Sequence, residues 1–174
     1  MLHKNYSLSL HDLPSEGKTI LLTDQKIWLE PLTEFSMACQ ILDPIRAEVH
    51  VLSVDGGVMV RGNIKATISQ PCDRCCQETT NHINHSFEDF ESAQPDQQLD
   101  ESRIYFEHGI LWLDVAAICW EEFVLALPPN PLCRPDCLGL CPHCGTNLNN
   151  GSCHCDQTEL DPRMALFRNL KLKK

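Results

Sequence analysis

The fold of this 174-residue chain is decided by the stretch IRAEVHVLSVDGGVMVRGNIKATISQ, which runs from Ile45 to Gln70. Apolar and polar residues alternate from Ile45 to Val54 and again from Val58 to Ile68, which is the period of half-buried strands. Between the two runs, Asp55-Gly56-Gly57 supplies the positive φ that a tight hairpin turn requires. The stretch therefore predicts two antiparallel strands joined by a short turn.

The sequence on either side of this hairpin predicts further strands and one helix. Short β-rich runs without a sustained helical period precede it, and an alternating run from Glu78 to Phe90 follows it. Ile104–Phe106 and Ile110–Leu113 flank a turn and predict a second hairpin. Asp114 can cap a helix over 114–127, which the prolines at 128 and 129 end. The predicted fold class is α+β: mainly antiparallel sheet or a partly open barrel, one or two helices and a small cysteine-rich C-terminal segment.

A proline-rich hinge, PPNP at 128–131, marks the predicted domain boundary. Residues 1–129 are expected to form a β-rich domain, and residues 130–174 a cysteine-rich segment with a short basic helix. Asp161 and Pro162 would start that helix, which should run to about Leu170. The stretch SAQPDQQLDES, residues 92–102, is polar and acidic, and we expect it to be a mobile loop.

Composition limits where the chain acts and what it contacts. Neither the amino terminus nor the apolar stretch Ile110–Leu127 is continuous enough for a signal peptide or a membrane span. We therefore expect a cytoplasmic protein with no membrane partner, in which clustered cysteines bind metal more often than they form disulfides. The formal net charge of −10 gives no overall attraction to phosphate backbones.

Six of the 11 cysteines lie in one stretch, LCRPDCLGLCPHCGTNLNNGSCHC, residues 132–155. They are Cys133, Cys137, Cys141, Cys144, Cys153 and Cys155. The CPHCG sequence at 141–145 is typical of a metal knuckle, in which backbone amides point at two thiolates and glycine relieves the tight turn. Structural zinc takes four tetrahedral ligands and prefers thiolates. We therefore predict a structural Zn²⁺ site built from four of these six cysteines, with Cys141 and Cys144 among them.

A separate CxxC, formed by Cys72 and Cys75, lies at the predicted turn after the first hairpin. Added to the six C-terminal cysteines it makes eight, so a second four-cysteine zinc site is an open alternative. A thioredoxin-like redox role would need the motif at a helix N-terminus. A rubredoxin-like iron site would need a second CxxC of the same kind. The remaining cysteines are expected to be ordinary buried side chains: Cys39, Cys76 and Cys119.

Catalytic motifs are missing from the sequence. It contains no HExxH, no glycine-rich phosphate loop and no serine elbow. We therefore expect neither enzymatic activity nor a small-molecule substrate.

Three motifs together resemble the bacterial large ribosomal RNA accumulation protein family, often labelled YceD. They are CDRC at 72–75, the cysteine-rich stretch from Cys133 to Cys155, and DPRMALFRNL from Asp161. The resemblance implies a cytoplasmic, non-enzymatic factor that supports large-subunit ribosomal RNA synthesis or accumulation and ribosome assembly. It also implies that Cys72, Arg74 and Cys75 match the family's first signature and the six C-terminal cysteines its second. Cys76 departs from the family, which usually has an apolar residue there.

Two kinds of partner are compatible with this function: large-subunit ribosomal RNA and a basic ribosomal protein. Contact with RNA would use the basic residues near the cysteine turns and at the C-terminal end: Arg74, Arg134, Arg163, Arg168, Lys171, Lys173 and Lys174. The alternative is a zinc-stabilised acidic adaptor that binds a basic ribosomal protein without direct RNA contact. The net charge of −10 favours this alternative.

Overall fold

The computed structural model describes residues 6–93 and 103–155. Within these ranges the chain forms two helices and two open antiparallel sheets, which confirms the predicted α+β class. The elements in chain order are β1 (Ser7–Ser9), β2 (Lys18–Leu22), α1 (Lys26–Glu34), β3 (Gln40–Val54), β4 (Gly57–Pro71), β5 (Glu78–Ser92), β6 (Ile104–Glu107), β7 (Ile110–Asp114) and α2 (Val115–Ala126).

The larger sheet is built around the predicted hairpin and has the order β2-β3-β4-β5. Val54 of β3 pairs with Gly57 of β4, so the turn falls at Asp55 and Gly56. The alternating sequence places one side of each strand in the core, where Val49, Val51 and Val60 are fully buried. The predicted strand from Glu78 is also present, and it continues to Ser92. The long hairpin and its third strand therefore form a scaffold that ends at Pro71, directly before the first CxxC.

The smaller sheet has the order β1-β7-β6 and contains the second predicted hairpin. Its strand β7 leads directly into α2, which confirms the helix predicted over 114–127. Asp114 is fully buried at the N-cap, and its carboxylate accepts a hydrogen bond from the Ala117 N–H at 3.0 Å. This bond satisfies one of the four N–H groups that a helix start leaves without a helical partner.

Helix α1 lies in a region for which the sequence predicts only strands, so that expectation is wrong. The helix has nine residues, contains Pro31, and begins without a side-chain cap, so its sequence carries a weak helical signal. Tertiary contacts hold it in place instead. The Gln25 amide donates to the Ile45 carbonyl at 3.0 Å and accepts from the Ile45 N–H at 2.9 Å. Trp28 is fully buried and meets Phe123 edge-on at a centroid distance of 5.5 Å.

One hydrophobic cluster joins the buried faces of both sheets and both helices. Neither helix in the described ranges has the length and apolar character needed to cross a membrane. The basic helix predicted from Pro162 to Leu170 lies outside the described residues, as does most of the predicted loop, residues 94–102.

The cap of α2 gives a test of this fold. Replacing Asp114 with alanine removes the acceptor for the Ala117 N–H, and we expect a loss of about 1–2 kcal/mol in the free energy of unfolding. Urea denaturation followed by circular dichroism measures this loss. Asp114→Asn is the control because it keeps a side-chain oxygen at the cap. An equal loss in both variants would show that charge, not capping, is the contribution of this residue.

Candidate metal centres

Eight cysteines form two separate groups of four, which we call centre 1 and centre 2. Within each group the four sulfur atoms all lie within 4.8 Å of one another. Centre 1 consists of Cys72, Cys75, Cys133 and Cys137; centre 2 consists of Cys141, Cys144, Cys153 and Cys155. The six C-terminal cysteines thus divide between two groups, and the CxxC of the strand turn completes the first. Each group can hold a metal ion.

Centre 1 has the dimensions of a tetrahedral thiolate site. The Sγ atoms of Cys72 and Cys137 are 3.8 Å apart, and those of Cys75 and Cys133 are 3.6 Å apart. Four sulfurs bound to zinc at about 2.3 Å form a tetrahedron with edges of about 3.8 Å. All 11 cysteines are free thiols rather than disulfides. Two of the six S–S distances thus match the edges of such a tetrahedron, and the four residues could hold a metal ion.

The two CxxC motifs adopt the same backbone turn. In centre 1 the Cys72 N–H donates to the Gln77 carbonyl at 2.8 Å, and the Cys76 N–H donates to the Cys72 carbonyl at 2.8 Å. In centre 2 the Cys141 N–H donates to the Thr146 carbonyl at 2.8 Å, and the Gly145 N–H donates to the Cys141 carbonyl at 2.9 Å. Centre 1 therefore contains a second knuckle, formed by the turn between β4 and β5, although its sequence lacks the CPxCG signature.

The residue after each CxxC must adopt a positive φ. Gly145 has φ +73° and Cys76, at the equivalent position, has φ +59°. This conformation is easy for glycine and costs other residues about 1–2 kcal/mol. Cys76 is exposed, so the expectation that it is a buried side chain is wrong. Cys119 is buried as expected, and burial raises the pKa of its thiol to about 12; Cys39 is half-buried against the core.

Hydrogen bonds favour the thiolate at selected positions of centre 1. The backbone N–H of Cys133, assisted by those of Arg74 and Cys75, lowers the pKa of Cys72 to about 6. Burial raises the pKa of Cys133 to about 12, and the neighbouring side chains of Cys75 and Cys137 raise it further. Four thiolates at these distances repel one another, and a bound cation removes that repulsion. The electrostatics therefore favour binding of a positive ion over four free thiols.

Centre 2 follows the same pattern but is more open. The Thr146 hydroxyl and N–H lower the pKa of Cys144 to about 6, and the Cys144 and His143 amides lower that of Cys141. The hydrogen bond with Cys144, followed by burial, raises the pKa of Cys155 to about 12. Cys144 is exposed, whereas Cys141 is buried. Centre 2 therefore lies nearer to solvent than centre 1, in which three of the four residues are buried.

A side chain from the loop of centre 2 supports centre 1. The Asn149 amide nitrogen donates to the Cys137 sulfur at 3.3 Å, and its oxygen accepts from the Leu138 N–H at 2.8 Å. Asn149 was not predicted from the sequence, because no spacing rule links an asparagine in a loop to a sulfur 12 positions earlier. Asn149 also binds a guanidinium, since Arg134 Nη2 donates to its oxygen at 2.8 Å.

Both arginines near the cysteine turns that were predicted to contact RNA make internal contacts. Arg74 Nη1 donates to the Cys137 carbonyl at 2.9 Å, while Arg134 bonds Asn149 and lies 3.5 Å from the Asp136 carboxylate. The other basic residues named for RNA contact lie outside the described residues: Arg163, Arg168, Lys171, Lys173 and Lys174. Within the part of the chain that the structure describes, these contacts support the cysteine segment itself.

Comparison with known proteins gives one family and several relatives. The profile of the family described as large ribosomal RNA subunit accumulation protein YceD matches residues 60–171. An uncharacterized protein of Mycobacterium tuberculosis (strain H37Rv) is 33% identical over 121 residues, which cover 68% of this chain and 58% of that protein. The chloroplastic YCED homolog 1 of Arabidopsis thaliana is 22% identical, over 74% of this chain and 49% of that protein.

A second plant relative, the chloroplastic YCED homolog 1 of Zea mays, is 25% identical and covers 92% of this chain and 66% of that protein. The chain spans 58% of the length of the Mycobacterium tuberculosis relative. No solved structure gives a significant match.

The strained position in the first knuckle gives a prediction. We expect Cys76→Gly to stabilise the protein by roughly 0.5–1 kcal/mol, because glycine accepts the positive φ at little cost. The gain is smaller than the full strain energy, because glycine also makes the unfolded chain more flexible. Thermal unfolding under reducing conditions measures the change. Cys76→Ser is the matched control: it removes the thiol, keeps a Cβ at the same φ, and should leave stability unchanged. A gain in the serine variant as large as in the glycine variant would contradict the strain argument.

Proposed function

The chain belongs to the large ribosomal RNA subunit accumulation protein family YceD, and we propose that it is a cytoplasmic, non-enzymatic factor that supports large-subunit ribosomal RNA accumulation and ribosome assembly. The observation that carries the proposal is the family match over residues 60–171, which spans the first knuckle and all of both four-thiol groups. In this proposal each group holds one structural zinc ion. The predicted division into residues 1–129 and 130–174 is part of the same proposal.

Four cysteine ligands in each centre would leave no open position on a bound ion, which supports a structural role for the two proposed zinc ions. A catalytic zinc usually has three protein ligands and keeps one position for water or substrate, whereas a four-cysteine site leaves none. Each centre supplies four sulfurs within 4.8 Å. When bound, the ion would supply a cross-link between chain segments and no reactive ligand. The protein's own residues then hold and orient the cysteine segment against the turn between β4 and β5.

The negative net charge of the chain and the internal hydrogen bonds of Arg74 and Arg134 favour a protein partner over RNA. The net charge of −10 repels phosphate backbones and attracts basic proteins, a class that includes most ribosomal proteins. The guanidinium of Arg74 already donates to the Cys137 carbonyl, and that of Arg134 to the Asn149 side chain, so both are engaged within the protein. We therefore propose an acidic adaptor that engages a basic component of the large subunit. Direct RNA contact is the second candidate, and it rests on the five basic residues between 161 and 174.

Metal content tests the zinc proposal. We expect the purified chain to carry two zinc ions, which native mass spectrometry and elemental analysis would count. Cys75→Ser should reduce the content to one ion by removing a ligand of centre 1, and Cys144→Ser should do the same for centre 2. Cys76→Ser is the control and should retain two. Iron in place of zinc would show as a red protein, and a chain that lacks metal while its cysteine segment stays ordered would refute the proposal.

The cellular role is tested by removal of the protein from cells that normally produce it. We expect the ratio of large-subunit to small-subunit ribosomal RNA to fall, and expression of the wild-type chain or of Cys76→Ser to restore it. Cys75→Ser should restore it poorly, because the loss of one ligand leaves the C-terminal segment unattached to the turn. Quantitative gel analysis of total RNA measures the ratio. An unchanged ratio after removal would contradict the proposed function.

A further inference from the structure

We propose that the groove between α1 and α2 binds an arginine- or lysine-bearing segment of a basic protein. The inference rests on the proposed function in one respect: it identifies where an acidic adaptor would contact its basic partner. The groove is remote in sequence from both metal centres, since its residues come from positions 30–35 and 117–121. It encloses about 180 Å³ and is lined by Glu30, Pro31, Glu34, Phe35, Trp120 and Glu121.

An exposed aromatic ring stacked on a partly buried one forms the apolar wall of the groove. Phe35 stacks on Trp120 with a centroid distance of 6.3 Å and an interplanar angle of 14°. Trp120 is supported from below by the fully buried Phe123, 5.9 Å away. Phe35 itself is 64% exposed, so the core does not explain its position. The pair presents a flat, electron-rich face of the kind on which guanidinium and ammonium groups stack.

Carboxylates surround this aromatic wall. Glu30 and Glu34 are exposed one turn apart on α1, and within the described residues no ion pair joins either of them to a basic side chain. Glu121 on α2 completes the rim, and Arg103 holds it by an ion pair. Carboxylates beside an aromatic face attract a cation by charge and by cation–π contact together, and they repel phosphate. The chemistry therefore selects a cationic protein segment over a nucleic acid.

The size of the groove supports the same ligand class. Pockets for small-molecule ligands enclose about 300–1,000 Å³, whereas about 180 Å³ accommodates a single long side chain. A second exposed aromatic residue, Phe106, borders a larger cavity of about 490 Å³. The residues that line that cavity include no carboxylate: Leu10, His11, Phe106, Gly109, Ile110 and Leu111. The combination of aromatic wall and acidic rim thus distinguishes the α1–α2 groove, and Phe106 provides a matched control.

The test measures binding of a fluorescein-labelled synthetic peptide of alternating arginine and leucine residues by anisotropy. The reference peptide has glutamine in place of arginine, and a large-subunit RNA fragment is measured in parallel. We expect the arginine peptide to bind the intact chain and the glutamine peptide not to bind. The double variant Glu30→Gln/Glu34→Gln should weaken binding roughly three- to tenfold, in keeping with exposed charge pairs. Phe35→Ala should weaken it by a similar factor.

Two control variants make the result specific. Glu48→Gln removes one exposed carboxylate from the larger sheet, and Phe106→Ala removes an exposed ring elsewhere; both should bind the arginine peptide like the wild type. Equal loss in the control and groove variants would overturn the proposal, as would undiminished binding by the groove variants. RNA binding that depends on Glu30, Glu34 or Phe35 would overturn it in favour of a nucleic-acid surface. If Phe35→Ala unfolds, the double variant Glu30→Gln/Glu34→Gln still tests the groove.

Failure of this inference can be told apart from failure of the proposed function. Restoration of the large-subunit ribosomal RNA ratio by the wild-type chain, together with no peptide binding in vitro, would refute the groove and leave the function standing. Specific peptide binding by a chain whose removal leaves the RNA ratio unchanged would support the groove and refute the function.

Discussion

The cysteine segment depends on one physical constraint: residues 131–155 contain too little apolar surface to fold by hydrophobic burial. The second buried cluster of the protein consists of three cysteines, Cys72, Cys75 and Cys137, with Leu132 and Cys133 packed against it. Sulfur atoms thus take the place that leucine and valine occupy in the β-sheet core. Because Cys72 and Cys75 follow β4 directly, this small core attaches the segment to the strand framework, and the framework's rigidity determines where the segment lies.

The strand framework was predictable from the sequence because its signals are local. Alternation from Ile45 to Ile68, a glycine-containing turn, and an aspartate before an apolar run specify hairpins and a capped helix without knowledge of the rest of the chain. Helix α1 has no such signal: Pro31 weakens it, and the contacts that stabilise it come from Ile45 and Phe123, far away in sequence. Its prediction needed tertiary information that periodicity does not carry.

The composition of the two cysteine groups was likewise only partly predictable from the sequence. The CPHCG knuckle was recognisable because its glycine is part of the motif, whereas the first knuckle has Cys76 at that position and φ +59° there. Sequence alone left open which four of six C-terminal cysteines belong together. The structure divides them at Gly139, whose Cα lies so close to the Arg74 carbonyl that an added Cβ would be 3.0 Å from its oxygen. This close approach lets the Leu140 N–H bond the Arg74 carbonyl at 3.0 Å and separates the two groups.

Hydrogen bonds between the groups couple the metal affinities of the two centres. Asn149 lies in the loop between Cys144 and Cys153, so its position depends on centre 2, yet its amide bonds the sulfur of Cys137 in centre 1. The Leu148 N–H donates to the Gly139 carbonyl at 2.9 Å and fixes the same loop over the boundary between the groups. An ion in centre 2 would therefore orient a hydrogen-bond donor to a ligand of centre 1, and such outer donors raise the metal affinity of the site that they support. Because binding energies couple reciprocally, an ion in centre 1 must strengthen centre 2 to the same extent.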